Sequence, residues 1–277
     1  MGLRVMTNIS SLAAQRNLAS TKIALDKNLQ RLSSGSRINS AGDDAAGLAI
    51  SEHLRAQVRG LKQAKRNAQD GVSLIQVSEG GLNEVTNILI RLRELAIQSA
   101  SDTISDKERS FTDREFQALK EEMDRIAQST NFNGTPLLNG RAGIFEIQVG
   151  TGNNPLVDRI TYDGQSADVT LESMRMSGES VATKQGSQLT LSVLDDAISQ
   201  VSKVRSDLGA MQNRLQSTIN NLGTNEENMV AANSRIRDAD LAEEVSEMTK
   251  NNILMQAGIS VLGQANQSAQ AALKLLS

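Results

Sequence analysis

From Val245 to Leu276 the apolar positions recur by alternating threes and fours: Val245, Met248, Asn252, Met255, Ile259, Leu262, Asn266, Ala269, Leu273 and Leu276. A period of about 3.5 residues places them on one stripe of an α-helix, the a/d seam of a coiled coil. So narrow a stripe is buried only against another helix. Asn at two like positions, Asn252 and Asn266, costs stability and is best tolerated where it fixes register and partner number. The other end of the chain offers the partner. There Val5, Ile9, Leu12, Ala19 and Ile23 share a stripe, and Leu25, Leu29 and Leu32 form a shifted one, so that the N-terminal helix has two usable seams.

Between these ends the pattern changes several times. Ser33–Gly42 is rich in Ser, Gly and Asn and predicts a joint; Asp43 and Asp44 then stand where capping carboxylates belong at the start of a new helix. A long helix follows with Leu54, Val58, Leu61, Ala68, Val72, Ile75 and Leu82 in heptad register, Lys65 and Glu79 filling its polar places. Gly80-Gly81 predicts a weak point, after which Leu82, Val85, Leu89, Leu92 and Ala96 resume in a new phase. Ser105 and Glu108 have capping-box spacing and open a shorter helix with Phe116, Leu119, Met123 and Ile126, ended by Asn131–Pro136. From Ile144 the period becomes two, through Phe145, Ile147 and Val149, with a polar Gly150–Pro155 tip and a return through Leu156, Ile160 and Tyr162: a β-hairpin. A further short strand is expected around Val169–Leu171. A third long helix runs through Leu194, Ala197, Val201, Val204, Leu208, Met211, Leu215, Thr218 and Leu222, with a slip of register around 225–240. The fold class is therefore mainly α, a long-helix bundle with a terminal antiparallel coiled coil and a small β-hairpin region.

Composition sharpens this picture. In 277 residues there are 4 Phe, 1 Tyr, 2 Pro and no Trp, which suits long helices packed through aliphatic seams better than a thick globular core. The net charge of −3, with both signs interspersed, points to neither nucleic acid nor a membrane surface, and no apolar run reaches membrane-spanning length. With 0 Cys there is no disulfide or thiolate chemistry. Arg4, Arg16, Lys22, Lys27 and Arg31 against the single acid Asp26 give a basic start without the compact apolar region of a secretory signal; it is read as the basic face of a structural helix rather than a transit peptide. Complementary acids, Asp238, Asp240, Glu243, Glu244 and Glu247, crowd the start of the C-terminal helix. Exposed pairs of that kind contribute only about 0–1 kcal/mol each, so apolar burial must dominate.

No catalytic, metal or cofactor set emerges. The only His, His53, lacks the second His of a zinc metalloprotease motif, and Gly150 and Gly152 lack the third glycine and the helix of a dinucleotide fingerprint. The three Asn-x-Ser/Thr matches, at Asn8, Asn133 and Asn266, are read as chance.

Arg31-Leu-Ser-Ser-Gly, Arg37-Ile-Asn-Ser and Asp43-Asp-Ala-Ala-Gly47 resemble the N-terminal signature of bacterial flagellins. Arg93-Glu-Leu-Ala96, Asn131-Phe-Asn-Gly134, Ser234–Asp240, Gln256-Ala-Gly258, Val261-Leu262 and Gln264-Ala-Asn266 continue the likeness in order, over roughly 1–140 and 185–277. The middle departs, with no room for the family's variable outer insert. The resemblance implies an inner coiled-coil domain, 1–44 with 234–277, and a helical rod domain, 45–233, carrying the hairpin insert at about 140–180. It implies a structural subunit that self-assembles into the helical flagellar filament used for swimming. Such a subunit would be exported through the flagellar type III channel without a cleaved signal, and would meet an export chaperone on the C-terminal seam and hook-junction and cap proteins. Its assembly seam would comprise Ile9, Leu12, Ile23, Leu29, Leu32, Val245, Met248, Asn252, Met255, Ile259, Leu262, Asn266, Leu273 and Leu276. The second N-terminal stripe would be buried only against neighbouring subunits, so both ends are expected to order on assembly.

Two rivals belong to other classes of structural protein: a hook–filament junction protein of the same superfamily, and a non-flagellar coiled-coil scaffold. A recognition role also follows from resemblance. Leu89–Gln98 is similar to the segment of some flagellins bound by a vertebrate Toll-like receptor, with Arg91, Leu95 and Glu115 at the positions that matter. The plainer alternative makes Arg91 and Leu95 a rod surface that packs on the next subunit.

Overall fold

A computed structural model describes the backbone of residues 8–274 and the side chains of 8–267. Helices α1 (Ile9–Ser34), α2 (Ala45–Ala100) and α3 (Asp106–Ser129) come first, followed by the short strands β1 (Asn131–Phe132) and β2 (Thr135–Pro136). Then come β3 (Ile144–Gln148), the single helical turn α4 (Pro155–Asp158), β4 (Arg159–Asp163), and the helices α5 (Lys184–Arg237) and α6 (Leu241–Lys274). The chain divides into two compact units, one formed by residues 1–57 and 228–277 and the other by 58–227.

In the second unit, α2, α3 and α5 bury an aliphatic interior. Leu82, Val85, Leu89, Leu92 and Leu95 of α2 meet Phe116, Met123 and Ala127 of α3 and the heptad residues of α5. Of the nine α5 positions picked out by the sequence, Leu194, Ala197, Val201, Val204, Leu208, Leu215 and Leu222 are buried, and Met211 and Thr218 lie at the edge of the stripe. The capping box of α3 forms with both of its bonds: Glu108 N–H donates to Ser105 Oγ, and Ser105 N–H donates to the Glu108 carboxylate at 2.8 Å. Arg109, buried, then ties down the α2–α3 turn by donating to the carbonyls of Ser99 and Ser101.

The hairpin pairs Ile144 with Asp163 through Gln148 with Arg159, antiparallel. Its tip differs from the expectation. Leu156 is not in the returning strand but in α4, where the Asn154 side chain caps the turn and Pro155 opens it. The Asp158 carboxylate accepts from Asn154 N–H at 2.9 Å, closing the loop on itself and leaving Leu156 93% exposed. No strand forms at Val169–Leu171; this segment is irregular, with Val169 buried and its N–H given to Leu138 C=O at 3.0 Å. The segment at 131–136, read as a helix end, also folds into a two-residue ladder closed by a turn at Asn133 and Gly134, both at positive φ.

Gly80-Gly81 does not interrupt α2, which runs unbroken for 56 residues. At Gly81 an added Cβ would lie 2.7 Å from Thr130 Oγ1 and 2.8 Å from Leu138 Cδ1, whereas at Gly80 it would meet nothing within 4 Å. Gly81 is thus an inward-facing notch that lets the loop after α3 close onto α2. Gly80 lies on the outer face and only loosens the helix. Likewise α5 begins at Lys184 and continues to Arg237, through the expected slip of register, because the described Asn-rich turns between 220 and 228 stay helical. Replacing Gly80 by Ala should raise the unfolding free energy by about 0.5–1 kcal/mol, the helix-propensity gain. Gly81→Val should instead lower it by about 1–3 kcal/mol through overpacking. Denaturant titration followed by circular dichroism measures both.

Candidate functional site

The two end helices form the candidate site. The side chain of Asn8 caps α1 by accepting from Ser11 N–H at 3.1 Å. The same residue's amide donates to the Ala265 carbonyl of α6 at 2.9 Å. Gly35, at φ 67°, ends α1 in the left-handed conformation, its N–H on the Arg31 carbonyl at 2.8 Å. Asp240 caps α6 by accepting from Ala242 N–H at 2.9 Å, and Glu243 and Glu244 follow in the first turn, where the helix dipole favours acids.

Paired antiparallel, α1 turns Ser11, Ala14, Leu18, Thr21, Leu25, Asn28 and Leu32 inward. From α6 come Glu244, Met248, Asn251, Met255, Gly258, Leu262 and Ala265. Both sets step by threes and fours. Small residues let the helices approach; a Cβ at Gly258 would sit 3.1 Å from Leu18 Cδ1. Near the joint the seam is polar. Asn28 Nδ2 donates to Glu244 Oε2 at 2.6 Å, Arg31 Nη1 to Glu244 Oε1 at 2.7 Å, and Asn251 Nδ2 to Asn28 Oδ1 at 2.9 Å. Asn28, Glu244 and Asn251 are all buried.

This seam differs from the one read off the sequence. On α6, Met248, Met255 and Leu262 face α1 as expected, but the alternate positions are displaced by one residue. Val245 and Ile259 are 46% and 56% exposed, Asn252 lies at the edge, and exposed Asn266 reaches the seam only by accepting from Ser11 Oγ at 2.9 Å. On α1 the two stripes exchange roles. Leu25 and Leu32 of the shifted stripe, expected to meet neighbouring subunits, face α6, whereas Ile9, Leu12 and Ile23 point away with exposures of 61%, 55% and 70%; Leu29 of the shifted stripe stays outside, at 48%. The physical reason is the set of polar and small contacts just described, which the stronger aliphatic spacing concealed. Asn28, Glu244 and Asn251 carried a usable signal, since they stand at heptad spacing on complementary helices. The side chain of Leu273 and all of Leu276, like Val5, lie outside the described residues.

Below this pair, the two joints are stitched together. Ser36 and Asp238 form an antiparallel bridge, Arg37 N–H donates to Arg237 C=O at 2.6 Å, and Ala239 N–H donates to Gly35 C=O at 3.0 Å. Arg237 Nη1 reaches Glu52 at 2.6 Å and, more than any other group, lowers that carboxyl's pKa. Asp44 caps α2 by accepting from Gly47 N–H at 2.8 Å, as its position suggested. Asp43 pairs with Lys27 at 2.7 Å and accepts from Asn39 and Ser40 N–H.

The residues expected to meet a receptor do not form one surface. Arg91 and Glu115 are exposed and paired at 2.8 Å, with Glu94 also on Arg91 at 3.0 Å. These carboxylates, Glu115 foremost, raise the Arg91 pKa. Leu95 is 2% exposed and belongs to the interior of the second unit. At i+4 from Arg91 it lies one turn along but on the core side, since α2 packs through 82, 85, 89, 92 and 96 as well.

Among the described residues no group of three or more His, Asp or Glu could hold a metal ion, and no helix is long and apolar enough to cross a membrane. His53 is an exposed residue of α2.

Two family models match the chain: the bacterial flagellin N-terminal helical region over residues 5–142 and the bacterial flagellin C-terminal helical region over 191–276. A flagellin of Halalkalibacterium halodurans is 46% identical over 269 residues, covering 97% of this chain and 98% of that protein. A flagellin of Bacillus subtilis is 43% identical over 307 residues, covering 99% and 100%. The flagellar filament 33 kDa core protein of Treponema phagedenis is 42% identical over 285 residues. Among solved structures, the Bacillus cereus flagellin crystal structure matches with TM-score 0.51 at 31% identity, over 61% of this chain and 94% of that one. A putative flagellar hook-associated protein of Vibrio parahaemolyticus shares the fold, with TM-score 0.59 at 15% identity.

Lys27, then the backbone of Ser40, holds the Asp43 carboxyl well below its ordinary value of 3.8. A depressed folded-state pKa contributes stability above the unfolded value and loses it as pH falls toward the folded one. Asp43→Asn should therefore melt below the parent at neutral pH, and the gap should close progressively once pH drops beneath about 3.8. Thermal melts across that range test it.

Proposed function

The chain belongs to the bacterial flagellin family and is a filament subunit of the bacterial flagellum; from that premise we propose that its end helices complete their folding by packing on neighbouring copies. One observation carries this reading. Of the 26 residues of α1, Ser11, Leu25 and Asn28 are buried, so that a single large apolar side chain is fully covered by the intramolecular pair. Full burial of a Leu or Ile stabilises by about 1.5–3 kcal/mol, while fixing a residue's backbone costs about 1–2 kcal/mol. A helix pair with one such side chain on one of its members is marginal alone.

What the pair lacks is displayed outward. Ile9, Leu12, Ile23 and Leu29 on α1, and Leu241, Val245, Ile253, Leu254, Ile259 and Val261 on α6, are exposed in the isolated chain. On α6 they occur on several faces, as in a helix meant to be surrounded. Heterologous contacts between such faces, repeated without closure, generate an open helical polymer. In this reading the sequence-derived seam set serves two purposes, with Met248, Met255, Leu262 and Leu32 inside the subunit and the outward aliphatics between subunits. The inner domain comprises the paired ends with their stitched joint, and the rod domain the remainder. Before assembly an export chaperone would cover the same α6 faces during passage through a type III channel, and hook-junction and cap proteins would meet the filament's ends.

The full chain, seeded or salted out, should form long tubes in negative-stain electron microscopy, and a chain lacking 245–277 should form none. Protease should trim both ends of the soluble chain first. Equal trimming throughout, or tubes from the truncated chain, would remove the proposed role of the ends.

A second reading, recognition of the soluble subunit by a Toll-like receptor, is favoured by the exposed Arg91–Glu115 pair on adjoining helices. Leu95 takes no direct part, being buried. In a receptor reporter assay Arg91→Ala should weaken signalling with little loss of stability. Leu95→Ala should instead destabilise the rod by about 2–5 kcal/mol. A reporter indifferent to Arg91→Ala would dismiss this reading.

A further inference from the structure

The helix α6 carries two overlapping seams that share Met248, Met255 and Leu262. In one the alternate positions are Glu244, Asn251, Gly258 and Ala265; in the other they are Val245, Asn252, Ile259 and Asn266. On apolar content the second should win, since it would bury a Val and an Ile where the first buries a carboxylate and a glycine. The structure adopts the first. We infer that the Asn28–Arg31–Glu244–Asn251 cluster is a rotational selector: it holds α6 rolled so that Val245 and Ile259 stay outside, available to neighbouring copies. This inference rests on the assembly reading given above.

The chemistry of the cluster supports that role. The two Glu244 oxygens are taken by different α1 donors, Asn28 at 2.6 Å and Arg31 at 2.7 Å, and Asn251 closes the set on Asn28. A buried ion pair with amide partners adds little net stability over an apolar replacement, but removing one partner leaves a buried charge uncompensated. Such a group is poor glue and a strong discriminator, as buried polar residues are when they fix coiled-coil register. Rolling α6 toward its more apolar seam would carry Glu244 away from both donors. Midway along the pair Leu18 fills the space left by Gly258, and at its far end Asn8 holds the Ala265 carbonyl. These contacts favour the same setting. The inner seam is therefore kept polar and small so that the aliphatic stripe is not spent within the subunit.

Because the chain has 0 Cys, an introduced cysteine pair has no other thiol in its own chain to react with. Full-length chains carrying Leu18→Cys with Gly258→Cys, or Leu18→Cys with Ile259→Cys, are oxidised in the soluble state. Oxidation traps even transient pairing. In the parent background the 18–258 disulfide should predominate. With Asn28→Leu and Arg31→Leu, Glu244 loses its partners, the 18–259 disulfide should take over, and seeded growth of the cysteine-free version should be lost. Adding Glu244→Leu and Asn251→Leu removes the charge, restores an apolar first seam, and should return both the 18–258 preference and growth. The inference is overturned if the double variant keeps the 18–258 preference, forms neither disulfide, or extends seeds like the parent. Failure of the parent itself to extend seeds would count against the assembly reading, while the disulfide preference would still decide the rotational one.

Discussion

A helix paired with one partner can bury one stripe, and α1 and α6 each carry more apolar surface than one stripe holds. Everything particular to the ends of this chain follows from that excess. In the second unit the helices meet one another, a hairpin and an irregular segment, and Leu82, Leu89, Leu92, Phe116 and Met123 are fully covered. Among the described residues, the outer faces of the end helices stay exposed. In the assembly proposed above that excess is useful, because each copy supplies the missing neighbour for the next.

The excess creates a problem of choice. Where two stripes compete for one partner, the stronger one is drawn inward, and an assembly that depends on it being outside must prevent this. Polar residues inside the pair do so at little net gain in stability. The stitched joint works alongside them: the Ser36–Asp238 bridge and the backbone bonds of Arg37 and Ala239 fix where α1 ends and α6 begins, and hence which residues can meet. Axial position is set by backbone hydrogen bonds and rotation by side-chain ones.

How much of this was legible in the sequence depended on which force decided each element. Where apolar burial on a rigid helix decided, the reading held closely, as along Leu194–Leu222 of α5, where only Met211 and Thr218 lie at the edge of the stripe, and through the Ser105–Glu108 capping box. Glycine misled at Gly80-Gly81, since propensity alone does not reveal that Gly81 is a notch for Thr130 and Leu138. The hairpin was visible in its alternation, but not the α4 turn that takes Leu156 out of the strand, because that turn depends on the Asn154 cap and on Asp158 accepting from Asn154 N–H across the loop. Leu95 shows another limit. Spacing placed it beside Arg91, but only the position of α3 and α5 determines which side of α2 is covered.

The seam of α6 is the most instructive miss, because the period was right and the phase was wrong. Two heptad series one residue apart share every second member, so periodicity fixes the helix and its partner but leaves the facing side open. Apolar strength is then the wrong arbiter if, as proposed, the most apolar face is reserved for other copies. Complementarity across helices is the better one: Asn28 and Arg31 on a basic helix, Glu244 and Asn251 on an acid-led one. Under the assembly proposed above, the polar residues at heptad spacing mark the contact made within this subunit, and the aliphatic stripe beside them marks the contact made between subunits.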